Sequence, residues 1–351
     1  MHLNEHYLLK LLKNQAMVHY NTLKEKEFYS KPFKFSYSSL NKLIFSPSLF
    51  YKDYILGDKE ERLDKHLIEG KLIHCLVFEP EKLETKFKII PGKVPTDNVR
   101  KILHKLAERS LVNDKSNIDL MSKELEETIL DILKEENLYQ SLKEDSARVI
   151  KIQCEENLEY WNFINNPKVD VIDQETLLRC QEQSNIILQN ENVKLIFAKK
   201  ETDFALDPIQ TFSEKYLECE LNELPFGLKG YIDFYQIDDD NKVITICDLK
   251  TTGKALIDFP ETINFYNYWL QAAIYSKLVY ENLPEEKKDY DILFKFIVID
   301  RYNQVYPFDV SQSTLAIWAD NFRDTINKAS YHYKNNNYSL PYDFLTEKII
   351  L

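Results

Sequence analysis

Three side chains could do chemistry together. Asp248 and Lys250 lie two residues apart at the end of the apolar run Val243-Ile244-Thr245-Ile246-Cys247. In a strand, residues i and i+2 leave from the same face. A carboxylate and an ammonium therefore point one way and Leu249 the other. Asp233 belongs to the preceding strand-like run, Leu228–Ile237, and a hairpin turning through Asp238-Asp239-Asp240-Asn241 would bring it alongside Asp248. Two carboxylates converging at one sheet edge repel unless they share a proton or a cation. A hard divalent ion with oxygen ligands relieves that repulsion. It also polarises a phosphoryl oxygen and acidifies its bound water. A lysine beside it can orient that water or stabilise developing charge. The chemistry that fits is phosphodiester hydrolysis.

Other elements surround this core. Phe265, Tyr268, Trp269, Ala272, Ala273, Tyr275 and Leu278 recur at helical spacing within 264–282. Gln271 and Tyr275 are then i and i+4, on one helix face. His74 lies in an apolar helix over 67–79 that ends at Pro80. Upstream, Ser36-Tyr37-Ser38-Ser39-Leu40 carries a helix N-cap signal, and Ser46-Pro47 breaks that helix.

Taken together, these residues resemble the PD-(D/E)XK nuclease superfamily. Gly230-Tyr231-Ile232-Asp233 followed by Asp248-Leu249-Lys250-Thr251-Thr252 is similar to its acidic and lysine motifs. Gln271 with Tyr275 is similar to the Q-x-x-x-Y helix of the RecB-like branch. Gly70 with His74, then Glu79-Pro80, is similar to that branch's G-x-x-x-H element, and Ser36–Leu40 with Ser46-Pro47 to its opening. Within the branch the resemblance is greatest to RecE-type exonucleases (exonuclease VIII) and phage alkaline exonucleases. It covers roughly residues 35–92 and 168–345. The chain departs from the pattern in having Ile232 where the family's literal proline would stand.

The resemblance implies an Mg²⁺- or Mn²⁺-dependent deoxyribonuclease, an exonuclease on linear double-stranded DNA, with a two-metal site allowed. His74, Asp233 and Asp248 would hold metal, Asp233, Asp248 and Lys250 would carry catalysis, and Gln271, Tyr275 and Thr251 would shape the site or meet DNA. An upstream acid is shared among Glu214, Glu218 and Glu220. Implied partners are DNA ends, a single-strand annealing protein and further copies in a trimer or tetramer. The implied setting is recombination or DNA degradation in the cytoplasm of a bacterial or phage-infected cell. The alternatives are a structure-specific endonuclease and a non-catalytic DNA-end-binding module.

Composition removes competing classes. Of 351 residues, 44% are hydrophobic and 29% charged, which suits a folded chain. The net charge of −12 argues against coating nucleic acid non-specifically, though not against a local basic site. Six glycines, with neither G-x-G-x-x-G nor a Walker motif, argue against a glycine-rich phosphate loop. Five dispersed cysteines without C-x-x-C predict no disulfide framework, zinc ribbon or iron–sulfur cluster. No apolar stretch of about 18 residues predicts a membrane span, and Met1–His6, without a basic n-region leading into an apolar run, predicts no secretion.

The expected fold is α/β, a central mixed sheet flanked by helices like a restriction-endonuclease core, with a helical insertion. The expected segments are an N-terminal helical segment over 1–34, a core over 35–95 and 166–351, and an insertion over 96–165. Strands are expected at 87–90, 216–221, 228–237, 243–250, 292–299 and 305–310. Helices are expected at 99–111, 117–136, 145–159, 174–188 and 314–333. The run Asp238–Asp240 reads as a solvated turn, since an EF-hand's glycine and distal glutamate are missing.

Overall fold

The computed structural model describes residues 17, 21–59, 64–112, 118–164, 169–197, 209–347 and 349. The strands among them are β1 (Phe33–Phe35), β2 (Phe87–Ile90), β3 (Asp170–Asp173), β4 (Ile209–Glu220), β5 (Phe226–Asp238), β6 (Val243–Thr252), β7 (Asp291–Asp300) and β8 (Val305–Val310). Two compact units result: Met1–Glu61 with Ala198–Leu351, and Arg62–Phe197.

The first unit is built on a six-stranded mixed sheet in the order β1-β5-β6-β7-β8, with β4 also paired to β5. β5 runs antiparallel to β4 and β6, β6 runs parallel to β7, and β1 runs parallel to the start of β5. This is the expected α/β arrangement. β6 is buried without interruption from Ile244 to Leu249, as a strand covered on both faces must be. Parallel β6 and β7 need a crossover. It carries the helices Phe259–Phe265 and Tyr268–Glu281. The core joins Phe35, Leu40 and Phe50 to Phe226, Ile246, Ile274, Phe296 and Ala329.

Local sequence explains several boundaries. Ser36 caps the helix Tyr37–Phe45 through a reciprocal capping box with Ser39. Ser311 caps the helix Gln312–Asn335 by accepting from the Thr314 N–H. The acidic turn closes on itself, with Asn241 N–H donating to Asp238 Oδ1 at 3.1 Å. Asp239 is held by Lys287 at 2.7 Å.

Two expectations change in this unit. The strand expected at 216–221 begins at Ile209. Much of β4 is solvent-exposed and only Leu217 is buried, so polar residues conceal its length. The three residues of β1 are too few to show alternation. The helix expected over 264–282 is two helices, parted at Asn267, whose φ of 56° is left-handed. In the N-terminal segment, residues 21–28 are helical. Residues 1–16 and 18–20 of that segment lie outside the described residues.

The second unit contains parallel β2 and β3 and the helices Lys65–Phe78, Asp97–Val112, Glu126–Glu135, Asp145–Ile152, Glu155–Phe163 and Gln174–Gln189. Its own core gathers Leu103, Leu106, Ile129, Ile132, Ile152 and Tyr160. The expected helix 145–159 divides at Gln153-Cys154, where the Asn157 amide donates to the Ile152 carbonyl at 2.9 Å. The expected helix 117–136 begins only at Lys123, with Ser122 accepting from the Glu124 N–H at 3.3 Å. Residue 117 lies outside the described residues. No helix among the described residues is long and apolar enough to cross a membrane.

Candidate active site

The central strands part in the first unit. β5 and β6 are paired from Asp238↔Val243 to Phe234↔Cys247 and no further. Asp233 and Asp248 occupy the next position, just beyond the last rung. Here the Leu249 N–H donates to Asp233 Oδ2 at 2.8 Å. A side-chain carboxylate thus replaces the ladder bond that the parted strands cannot make. Both aspartates are buried, Asp248 completely.

Glu214 joins them from the other side of β5. The register Ser213↔Phe234 and Lys215↔Ile232 brackets Glu214 and Asp233 as facing residues. Their carboxylate oxygens lie within 4.8 Å of one another. Glu214 has φ of 46°, a left-handed conformation that costs a non-glycine residue about 1–2 kcal/mol. Glu218 and Glu220 instead pair with Lys34, at 2.6 and 3.1 Å. Of the three upstream glutamates, Glu214 is the one whose carboxylate lies beside Asp233.

Lys250 shares the face of Asp248, as strand alternation requires, and its ammonium lies 2.5 Å from Asp248 Oδ2. Gln271 bridges the pair. Its Nε2 donates to Asp248 Oδ1 at 2.8 Å and to the Tyr275 hydroxyl at 2.9 Å, while its Oε1 accepts from Lys250 Nζ at 3.0 Å. The amide is thus oriented by an anion on one side and a cation on the other. Burial disfavours the charged amine of Lys250, but Asp248 and Asp233 outweigh it and hold the pKa above the ordinary lysine value. Burial, then Asp233 and Asp248, push the Tyr275 phenol well up. Glu214 acts on the same phenol in the same direction.

The helix reaches this site because β5 carries no side chain at Gly230. A Cβ there would come within 3.1 Å of Leu278 Cδ1 and 3.3 Å of Tyr275 Cε1. The loop after β6 is held by Asp300, buried at the end of β7. Asp300 accepts from the backbone N–H groups of Tyr302, Gln304 and Leu256.

The structure brings together Asp233, Asp248, Lys250, Gln271 and Tyr275. Thr251 is exposed, and by alternation it leaves from the face of β6 opposite Asp248 and Lys250. His74 belongs to the second unit, half-buried in the helix Lys65–Phe78 with its ring 6.0 Å from that of Phe78. Asp300 and Tyr37 escaped the sequence reading. Burial first, then Tyr268 and Asp248, raise the Tyr37 phenol. The S-x-S-x-L element that contains Tyr37 marks its place, whereas nothing local marks Asp300.

The arrangement is a set of hard oxygen donors beside a half-buried lysine. It can hold a divalent ion and present positive charge to a phosphate. The chain is similar to a solved structure from Eubacterium rectale, described as a "Putative exonuclease". Identity is 12%, with 90% of this chain and 84% of that chain covered and a TM-score of 0.42. That likeness is too distant to carry an argument. No curated protein matches the chain. The family model of the PD-(D/E)XK nuclease superfamily matches residues 34–338, a span that includes every residue of the site described above. The chain belongs to the PD-(D/E)XK nuclease superfamily.

Proposed function

We propose that the chain is a divalent-metal-dependent deoxyribonuclease, an exonuclease on linear double-stranded DNA. The observation that carries this reading is the convergence of Glu214, Asp233 and Asp248 with Lys250 where β5 and β6 part. The donors are carboxylate oxygens, which suit Mg²⁺ or Mn²⁺. Glu214, Asp233 and Asp248 would hold the ion. His74 enters as a further ligand on the sequence resemblance alone. Such an ion, when bound, polarises the scissile phosphoryl group and acidifies water.

The chain's own residues do the rest. Lys250, beside Asp248, is placed to donate to the attacking water or to the phosphate oxygens. Gln271 keeps Lys250 and Asp248 in register with each other. Tyr275, in turn, fixes the rotamer of Gln271. Asp233 ties the parted strands together and so sets the spacing between the acids.

The exonuclease reading is supported by the ordered elements that resemble RecE-type and phage alkaline exonucleases. It places the protein in recombination or DNA degradation. Wild-type protein incubated with linear and with covalently closed duplex, in Mg²⁺, Mn²⁺ or chelator, tests it. Metal-dependent loss of the linear form alone is the expected result. Cutting of closed circles would replace the reading with an endonuclease, and intact DNA of both forms in both metals would leave only a binding module.

A further inference from the structure

A path of aromatic rings runs from Lys250 outward to solvent, and nothing in the proposed chemistry uses it. Lys250 Nζ lies 4.7 Å from the centre of the Tyr268 ring. Tyr268 stacks on Tyr266 with ring centres 5.6 Å apart and planes 25° from parallel. Tyr266 meets Phe265 edge-on at 4.8 Å. The last two rings are displayed to water. Phe265 is 75% exposed and Tyr266 47% exposed. Lys254 lies 5.9 Å from the Phe265 ring, so a cation accompanies the outermost ring.

The display is held in place by a dedicated set of bonds. It sits at the break between the helices Phe259–Phe265 and Tyr268–Glu281, where Asn267 is left-handed. The Tyr266 carbonyl accepts from the Tyr37 hydroxyl and from Asn41 Nδ2. The Asn267 side chain donates to Asn41 Oδ1 at 2.8 Å and accepts from the Trp269 indole at 3.0 Å. A strained backbone fixed from several directions persists where the surrounding structure over-determines it. Here it leaves large rings in water, which burial elsewhere in the core would have favoured.

We infer that Phe265 and Tyr266 form a stacking platform for the bases of an unpaired DNA strand entering or leaving the site. This inference rests on the reading of the site as one that handles nucleic acid. Three features favour bases over a protein partner. The rings are continuous with Lys250, a cation flanks the outer ring, and each exposed ring offers a face of the kind on which any base stacks. The platform recognises rings and not sequence.

The test compares two fluorescent single-stranded oligonucleotides of equal length and charge, one of thymidines and one of abasic sites. Binding is measured by anisotropy in chelator, so that turnover plays no part. Wild-type protein is expected to bind the thymidine strand about tenfold more tightly than the abasic one. Phe265→Ala and Tyr266→Ala should lose most of that preference, and Phe265→Trp should keep it. Binding of the abasic strand should stay unchanged, which also shows that the variants fold. A wild type that binds both strands equally, or neither, overturns the platform. So does a preference that survives both alanine variants, or a loss that falls equally on both strands. A ring-dependent preference in a protein that never cleaves DNA would refute the catalytic reading and leave the platform standing. Cleavage by a wild type that shows no preference would do the reverse.

Discussion

Asp233 accepts a hydrogen bond from the backbone N–H of Leu249 at 2.8 Å, across the point where β5 and β6 stop pairing. One carboxylate therefore serves two ends. It satisfies a backbone donor that strand separation would orphan, and the same carboxylate lies beside Glu214. The parting of the strands makes room for the acids, and an acid repairs the parting.

Glu214 should behave differently from its neighbours on β4. Glu214→Gln is expected to lower metal-dependent cleavage by at least tenfold and to raise the Mn²⁺ concentration needed for half-maximal rate. Glu218→Gln and Glu220→Gln, which weaken exposed pairs to Lys34 and, at Glu218, a bond from the Tyr216 hydroxyl, should stay within about twofold. The left-handed φ at 214 adds a second expectation. Glu214→Gly should be more stable than Glu214→Ala by about 1 kcal/mol in urea unfolding, because glycine adopts that backbone freely. Equal stabilities would remove the strain argument.

Gly230 should tolerate no side chain. Alanine would press on Leu278 and Tyr275, 3.1 and 3.3 Å away. A cost of about 1–3 kcal/mol is expected in urea unfolding, with slower cleavage, because the displaced helix carries Gln271. A Gly230→Ala protein with wild-type stability and rate would contradict this account of how the helix is placed.

Gln271→Ala removes an amide that touches both Asp248 and Lys250. Hydrogen bonds to charged groups contribute about 1.5–3 kcal/mol. A rate loss of roughly 10- to 100-fold is expected in single-turnover cleavage, with DNA affinity little changed. A loss confined to affinity would mean that Gln271 contacts DNA rather than holding the pair.

How far these groups could be read from the sequence depends on what positions each. Asp248 with Lys250 was legible from strand alternation, and Gln271 with Tyr275 from helical spacing, because both relations are local. Glu214 could be narrowed only to one of three upstream glutamates, since its place depends on the register of β4 against β5 and on a left-handed residue inside a strand. The break at Asn267 was concealed by aromatic residues that continue the helical period across it. β1 is three residues long and shows itself only by pairing with β5. The mixed sheet itself was legible because β6, β7 and β8 are rich in β-branched and aromatic residues.

The second unit carries a pH signature of its own. His104 bonds the Tyr160 hydroxyl at 3.0 Å. Burial, and then the Arg100 guanidinium, depress its pKa to about 4, with Asp170 opposing. The unfolded chain takes up that proton near pH 6.5. Between the two values the unfolded state binds more protons, so stability rises with pH across this window. Acidification from pH 7 towards 4 should cost about 2–3 kcal/mol through this residue. Hydrogen exchange in the second unit, compared between wild type and His104→Gln, should show a smaller acid loss in the variant. Parallel losses would exclude His104 as the source.

The central claim is that Lys250 and the acids beside it hydrolyse phosphodiester bonds. The most direct test is single-turnover cleavage of an end-labelled linear duplex in Mn²⁺ by wild type and by Lys250→Met, which keeps most of the apolar stem. The rate is expected to fall by about a thousandfold while the duplex is still bound. A variant that cleaves at the wild-type rate would contradict the account.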